Sequence, residues 1–205
     1  MTPHKAAHRE KAAFHEAGHA LMNYLQGIRF RRVTIIPGED YLGKVVGFPS
    51  PVLTLENADY LVGPDAQTFL CGLAASFMAG EVSEGTNTQA AVDRGGCYLD
   101  AVRVYLMSAA GGNPDMAGVL WGEVETRVEQ TLKENKGAVA ALAKALMDRD
   151  SLTEADACEV MAGALPGSVV ASIPERRREW RLLRRRLHRQ LDWRRPPPWA
   201  TGNTT

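Results

Sequence analysis

Lys11-Ala-Ala-Phe-His15-Glu16-Ala-Gly-His19-Ala-Leu21 is the stretch on which the reading of this chain turns. On a helix, residues four apart point within about 40° of each other and sit one turn apart, so His15 and His19 can aim two imidazoles at one ion. Zinc suits such a pair. Glu16, beside the first imidazole, then stands where it can take a proton from water that the ion acidifies, which is the chemistry amide hydrolysis needs. Ala17 and Gly18 are small enough for another element to pack closely there. Upstream, His4 and His8 repeat the spacing without the intervening Glu, and His8 lies about 10 Å along the axis from His15, too far to share its ion. His188 sits in a basic face near the end of the chain.

Working outward, the motif lies in a longer helical pattern. Thr2-Pro3 is a helix-start signal, Gly27 a stop, and Ala13, Phe14, Ala17, Ala20, Leu21, Tyr24 and Leu25 form an apolar stripe at spacings of three and four. Two strands are predicted next, Val33–Ile36 and Lys44–Phe48, separated by the turn signal Pro37-Gly-Glu-Asp40, to form a small antiparallel ribbon. Helices are expected over Ala66–Met78, Tyr98–Ser108 and Met116–Met147, and a short one opening at Ser151-Leu-Thr153-Glu154 and running to Met161. The fold class is therefore α+β, mainly α with a small β element: an active-site helix of the zincin kind, a short β ribbon and a C-terminal helical bundle.

With 205 residues, 45% of them apolar, the chain can bury a core in one domain. Its zero formal charge hides an asymmetry. Residues 1–174 hold 14 Lys/Arg against 21 Asp/Glu, and residues 175–205 hold 10 Arg against 3 acids. We divide the chain into a peptidase-like domain over 1–165 and a basic tail over 166–205, the tail being an Arg-rich amphipathic helix with Trp180, Leu182, Leu183, Leu187 and Leu191 interleaved, then a disordered end. That tail could meet nucleic acid, an anionic membrane surface, an acidic protein surface, or the chain's own acidic body. Its removal from residue 175 is expected to leave peptide hydrolysis intact. Cys71, Cys97 and Cys158 form no C-x-x-C pair and argue for a reducing, cytoplasmic setting. The longest apolar run, around Phe69–Gly80, is too short to span a bilayer.

The chain also resembles a known family. Lys11–Leu21 is similar to the active-site helix of the FtsH-type zinc metalloproteases (peptidase family M41), Val33-Thr-Ile-Ile-Pro37 to the strand after it, and Leu42-Gly43 through Pro49 to the next strand. Cys71-Gly-Leu-Ala-Ala75 and Gly80-Glu81-Val82 resemble the following helix, and Val128–Met161 the closing helices, so the resemblance covers about residues 9–163. It implies a Zn(2+) site with His15 and His19 as ligands and Glu16 as general base. The family's third ligand is an Asp that opens a helix within Gly-Ala-x-Asn-Asp-Leu. Here that motif is altered after Gly85-Thr-Asn-Thr88; Asp93, four and eight residues before Cys97 and Ala101, is the leading candidate, then Asp100, with Glu81 or Glu84 more distant. Where the family has two acids after Ala-Ala, this chain has Ser76-Phe77, so a carboxylate that oriented a ligand from there is replaced.

Neither a phosphate-binding loop of the Gly-x-x-x-x-Gly-Lys-Ser/Thr type nor a membrane helix occurs in the sequence, so an ATP-independent peptidase acting on flexible or unfolded polypeptide is the expected function. The alternative is a peptidase-like binding or regulatory module directed to a partner by its basic tail. Substrate would lie along an exposed strand edge at Val45, Val46, Gly47 and Phe48, with Gly43 and Gly47 either admitting a close backbone or serving as bends. Homo-oligomerisation is expected from the resemblance.

Overall fold

The computed structural model describes residues 3–38, 42–47, 58, 61, 63–85 and 97–191. In order the elements are α1 (Pro3–Gln26), β1 (Phe30–Thr34), β2 (Lys44–Gly47), α2 (Pro64–Ser83), α3 (Cys97–Ala109), α4 (Pro114–Glu134), α5 (Lys136–Arg149), β3 (Ser151–Thr153), α6 (Glu154–Ala164) and α7 (Gly167–Gln190). The fold is α+β: mostly helix, with one small antiparallel sheet.

Helix α1 forms the spine. Its Ala-rich sequence favours helix, and it packs on α2 and α5 as well as on the sheet. The expected stripe is its buried face: Ala13, Ala17, Ala20, Leu21, Tyr24 and Leu25 are buried and Phe14 packs at the edge of the core. Gly27 ends the helix at φ +76°, the left-handed conformation a side chain disfavours, and the Ile28 N–H returns to the Asn23 carbonyl at 2.8 Å, closing a Schellman turn. That turn redirects the chain into β1.

Strand order is β2-β1-β3, both pairings antiparallel, with Val33 opposite Val45 on one side and Leu152 on the other. The ribbon predicted from two strands thus gains a third. Ser151-Leu-Thr153, expected to open a helix, is extended instead, and Thr153 is at once the last residue of β3 and the N-cap of α6. Its side chain accepts from the Asp156 N–H at 3.2 Å while the Asp156 carboxylate accepts from the Thr153 N–H at 3.1 Å, a reciprocal capping box that leaves the preceding residues free to pair with β1. Asp150, at φ +61°, makes the reversal from α5, and its carbonyl accepts from the Ile35 N–H at 2.8 Å. The first strand begins at Phe30 rather than Val33, because Phe30 is buried and its neighbours pair with β2.

The long helical stretch predicted over Met116–Met147 is two helices that meet at Asn135. α4 begins on an Asn113 cap, whose side chain accepts from the Asp115 and Met116 N–H groups, followed by Pro114. The basic helix α7 starts at Gly167 and lies against α1 and α2, burying Ile173, Leu183, Leu187 and Leu191. None of the described helices is long and apolar enough to cross a membrane.

Candidate metal centre

The two imidazoles of α1 face each other. His15 and His19 place their Nε2 atoms 3.0 Å apart, with ring planes at 79°. Each ring is held by its other nitrogen. His19 Nδ1 lies 2.6 Å from the Ser76 carbonyl oxygen, and since a carbonyl can only accept, the hydrogen sits on Nδ1 and Nε2 carries a lone pair. His15 Nδ1 donates to Glu84 Oε1 at 2.9 Å, which disposes its Nε2 in the same way. Two lone pairs at 3.0 Å repel unless a cation or a proton lies between them. Zinc–nitrogen bonds of about 2.0–2.1 Å at a tetrahedral angle would separate the nitrogens by roughly 3.3 Å, so the pair is nearly set for an ion.

Space for that arrangement is kept by glycine. A Cβ on Gly80 of α2 would fall 2.4 Å from His19 Nε2 and 2.6 Å from His15 Nε2, so any side chain there would occupy the place where the nitrogens converge. Gly18 does the corresponding work on α1. A Cβ on it would lie 2.3 Å from the Ala79 carbonyl and 2.6 Å from Ser83 Oγ, and Gly18 therefore lets the two helices close to near backbone contact. Ser83 Oγ fastens the crossing, lying 2.7 Å from both the Phe14 and the Gly80 carbonyl oxygens. The small pair Ala17-Gly18 accordingly admits the close neighbour expected from the sequence.

The acids are arranged unequally. Glu84 bridges His15 Nδ1 and Lys11 Nζ, the latter at 3.1 Å. Burial works against its charge, but the bonds to His15 and Lys11 outweigh that and hold its carboxyl below the usual range. Glu81, one turn earlier on α2, lies near it, and His15, Glu81 and Glu84 can bring ligand atoms within 4.8 Å of one another. Burial lowers His15 most among its influences, yet the Glu84 bond and the fields of Glu16, Glu84 and Glu81 leave it raised; His19 is pushed down to about 3 by burial and by His15. One imidazole of the pair thus stays neutral over a wide pH range, as a metal ligand must.

Glu16 lines a cleft that His19 also borders. Only 5% exposed, it accepts the Val45 backbone N–H, and burial is the main reason its carboxyl is raised to about 7, against the field of His15 and the Val45 bond. Gly43 makes the approach of β2 possible, since a Cβ there would lie 2.7 Å from Glu16 Cγ. The close neighbours of Gly43 are thus the Glu16 side chain and the Thr34 carbonyl of the chain itself, while a Cβ on Gly47 would meet nothing within 4 Å. Among the described residues β2 is an edge of the sheet, and because the Val45 N–H is directed at Glu16, not at β1, that edge faces the cleft. The cleft has a volume of about 510 Å³. Glu16, His19, Gly43 and Val45 line one part of it, and Phe69, Leu73, Phe77, Tyr105 and Trp180 an apolar remainder.

No protein-family model matches the chain. Among curated proteins it is similar to the ATP-dependent zinc metalloprotease FtsH of Opitutus terrae, 30% identical over 162 residues that make up 73% of this chain and 26% of that protein. It is also similar to the ATP-dependent zinc metalloprotease FtsH 3 of Conexibacter woesei, 26% identical over 181 residues, 74% of this chain and 24% of that protein. The chain is related to FtsH zinc metalloproteases. It spans about a quarter of the length of the relatives it matches.

Of the site residues expected in an FtsH-related chain, His15 and His19 converge, Glu16 borders the cleft, and Val45 and Gly47 line it while Val46 does not. Asp93 and Phe48 lie outside the described residues. Asp100 is exposed on α3. His8 is exposed on α1, and the side chain of His4 lies outside the described residues. The imidazole partners were not legible. Where a family carboxylate gives way to Ser76-Phe77, the backbone carbonyl of Ser76 holds His19, and Glu84, weighed only as a distant ligand, holds His15. A main-chain carbonyl carries no sequence signal. Gly80 could have been suspected as a glycine inside a helical run, which costs about 1 kcal/mol relative to Ala and needs a reason.

Proposed function

We propose that the chain is a zinc-dependent peptidase that hydrolyses peptide bonds in flexible or unfolded polypeptide, with His15 and His19 as ligands, an acidic third ligand and Glu16 as general base. The observation that carries this reading is the facing Nε2 pair, each ring fixed through its Nδ1, with Gly80 keeping the space open. A zinc ion held there would supply a Lewis acid for the scissile carbonyl and lower the pKa of water to about 7. Asp93 remains the leading third ligand, followed by Asp100, with Glu81 the nearest acid on α2. Glu84 is better used as a positioning carboxylate, since its oxygens already serve His15 and Lys11.

Each protein group then has a task. Glu16, whose carboxyl titrates near neutrality, can hold a proton taken from water and return it to the leaving amine. Residues of β2 can pair with an extended peptide backbone, and the apolar walls of the cleft exclude water and take side chains. Such binding needs an extended chain, so folded proteins would be poor substrates unless another factor delivers them. Peptide hydrolysis at this site consumes no nucleotide. The separated cysteines fit a cytoplasmic setting.

Metal analysis together with digestion of casein and of a peptide library tests the proposal. About one zinc per chain is expected; His19→Ala should lose it, and Glu16→Gln should keep it while hydrolysis falls by about 10²–10⁴-fold. Absence of bound zinc, or digestion by Glu16→Gln at the wild-type rate, would sink the reading.

A further inference from the structure

Two sets of arginines stand out on α7. Arg176 donates to the Leu25 carbonyl at 2.7 Å, Arg177 to Glu154 at 3.2 Å, and Arg186 to both oxygens of Asp65 at 2.6 and 3.2 Å. These dock the helix on the acidic body. Arg181 and Arg184 instead border the cleft that holds Glu16. Among the described residues Arg181 donates to the Arg177 carbonyl, at 3.3 Å, and half-buried Arg184 has no acidic partner. A guanidinium at the wall of a cleft can offer its fork of donors to a carboxylate brought by a ligand.

The wall that carries them is fixed. Trp180, next to Arg181, stacks on Phe69 with centroids 4.6 Å apart, and Gly72 gives it room, a Cβ there falling 2.9 Å from the indole. Among the described residues of the wall, the cations are Arg29, Lys44, Arg181 and Arg184, and the one acid is Glu16. Arg29 is already paired with Glu154. The described wall is therefore cationic, with exposed Lys44 on β2 and with Arg181 and Arg184 one turn apart on the same face of α7, in a cleft that also holds a strand edge.

We propose that Arg181 and Arg184 form a subsite for an acidic side chain, so that the preferred ligands of the cleft are peptides with Asp or Glu placed to reach α7 while their backbone lies along β2. This rests on the peptidase reading for the course of the peptide. Arg184 makes the decisive contact because it is the more buried of the two; Arg181, exposed, adds long-range attraction.

The test is binding, which needs no turnover. In the full-length Glu16→Gln chain, fluorescence anisotropy is measured with labelled, C-terminally amidated peptides that differ only by Glu or Gln at successive positions. At one position Glu should bind about tenfold tighter, as a charge-assisted bond to an arginine of the cleft wall implies, and salt should narrow the gap. Arg184→Gln should abolish the preference, Arg181→Gln should reduce it, and Arg185→Gln, exposed and outside the cleft, should leave it intact. Equal binding of Glu and Gln peptides, a preference that survives Arg184→Gln, or no binding of any acidic peptide overturns the subsite. So does a preference confined to a free C-terminal carboxylate, or a short oligonucleotide competing as well as the acidic peptide. If the preference holds while the wild-type chain hydrolyses nothing, the subsite stands and the peptidase reading falls; hydrolysis without the preference has the opposite meaning.

Discussion

His15 and His19 owe their geometry to what they do not touch as much as to what they do. Helical spacing brings the rings to one face, but the Ser76 carbonyl and Glu84 decide which nitrogen of each is left to bind. Gly80 decides whether there is room. Gly80→Ala sets an intrinsic gain in helix propensity, about 1 kcal/mol, against a Cβ placed 2.4 Å and 2.6 Å from the two Nε2 atoms. Steric conflict should win, because both rings are anchored at the far side and backbone, not a flexible side chain, carries the new carbon. The expected result is a folded protein, by circular dichroism, whose zinc affinity falls at least about tenfold by competition with a chelating dye. Unchanged affinity would mean that α2 can retreat without disturbing the pair.

Among the elements, α1 and the sheet divide the work between them. α1 carries the imidazoles and Glu16, while β2 brings Gly43 and the Val45 N–H onto that carboxylate. β1 holds β2 in place and is itself held by β3, whose last residue caps α6. Thr153→Ala removes that cap and should cost about 0.5–2 kcal/mol. For a chain of this size the melting temperature should then drop by about 1–8 °C. Hydrolysis below the melt should not change, since Thr153 touches neither the imidazoles nor the cleft. A variant with wild-type melting temperature but impaired activity would show that this junction acts on the site and not on stability.

Across the whole molecule, α7 is part of the body. The expectation that removal of residues 175–205 leaves hydrolysis untouched does not fit a helix that buries Leu183, Leu187 and Leu191 and supplies Trp180 to the cleft. Each such leucine contributes about 1.5–3 kcal/mol by burial. Leu187, 1% exposed, is the sharpest probe: Leu187→Ala should cost about 2–5 kcal/mol in urea unfolding, and truncation at residue 175 should leave a chain that melts far lower or fails to fold. A truncated chain with wild-type stability would mark α7 as an appendage.

Much of the fold follows from local pattern. The α1 stripe, the Gly27 stop, the two-stranded ribbon and the pairing of His15 with His19 are each written within a few turns of sequence, where periodicity and capping act. Residues far apart in the chain decided the rest. Ser151-Leu-Thr153 became a strand only because β1 was there to pair with it, and the arginines of α7 sorted into anchors and cleft residues only once Asp65, Glu154 and the Leu25 carbonyl lay opposite them. Sequence alone nominated the two ring nitrogens. Tertiary structure supplied the Ser76 carbonyl, Glu84 and the absent side chain of Gly80, because a hydrogen-bond partner or an empty space is a property of what packs opposite a residue and not of the residue itself.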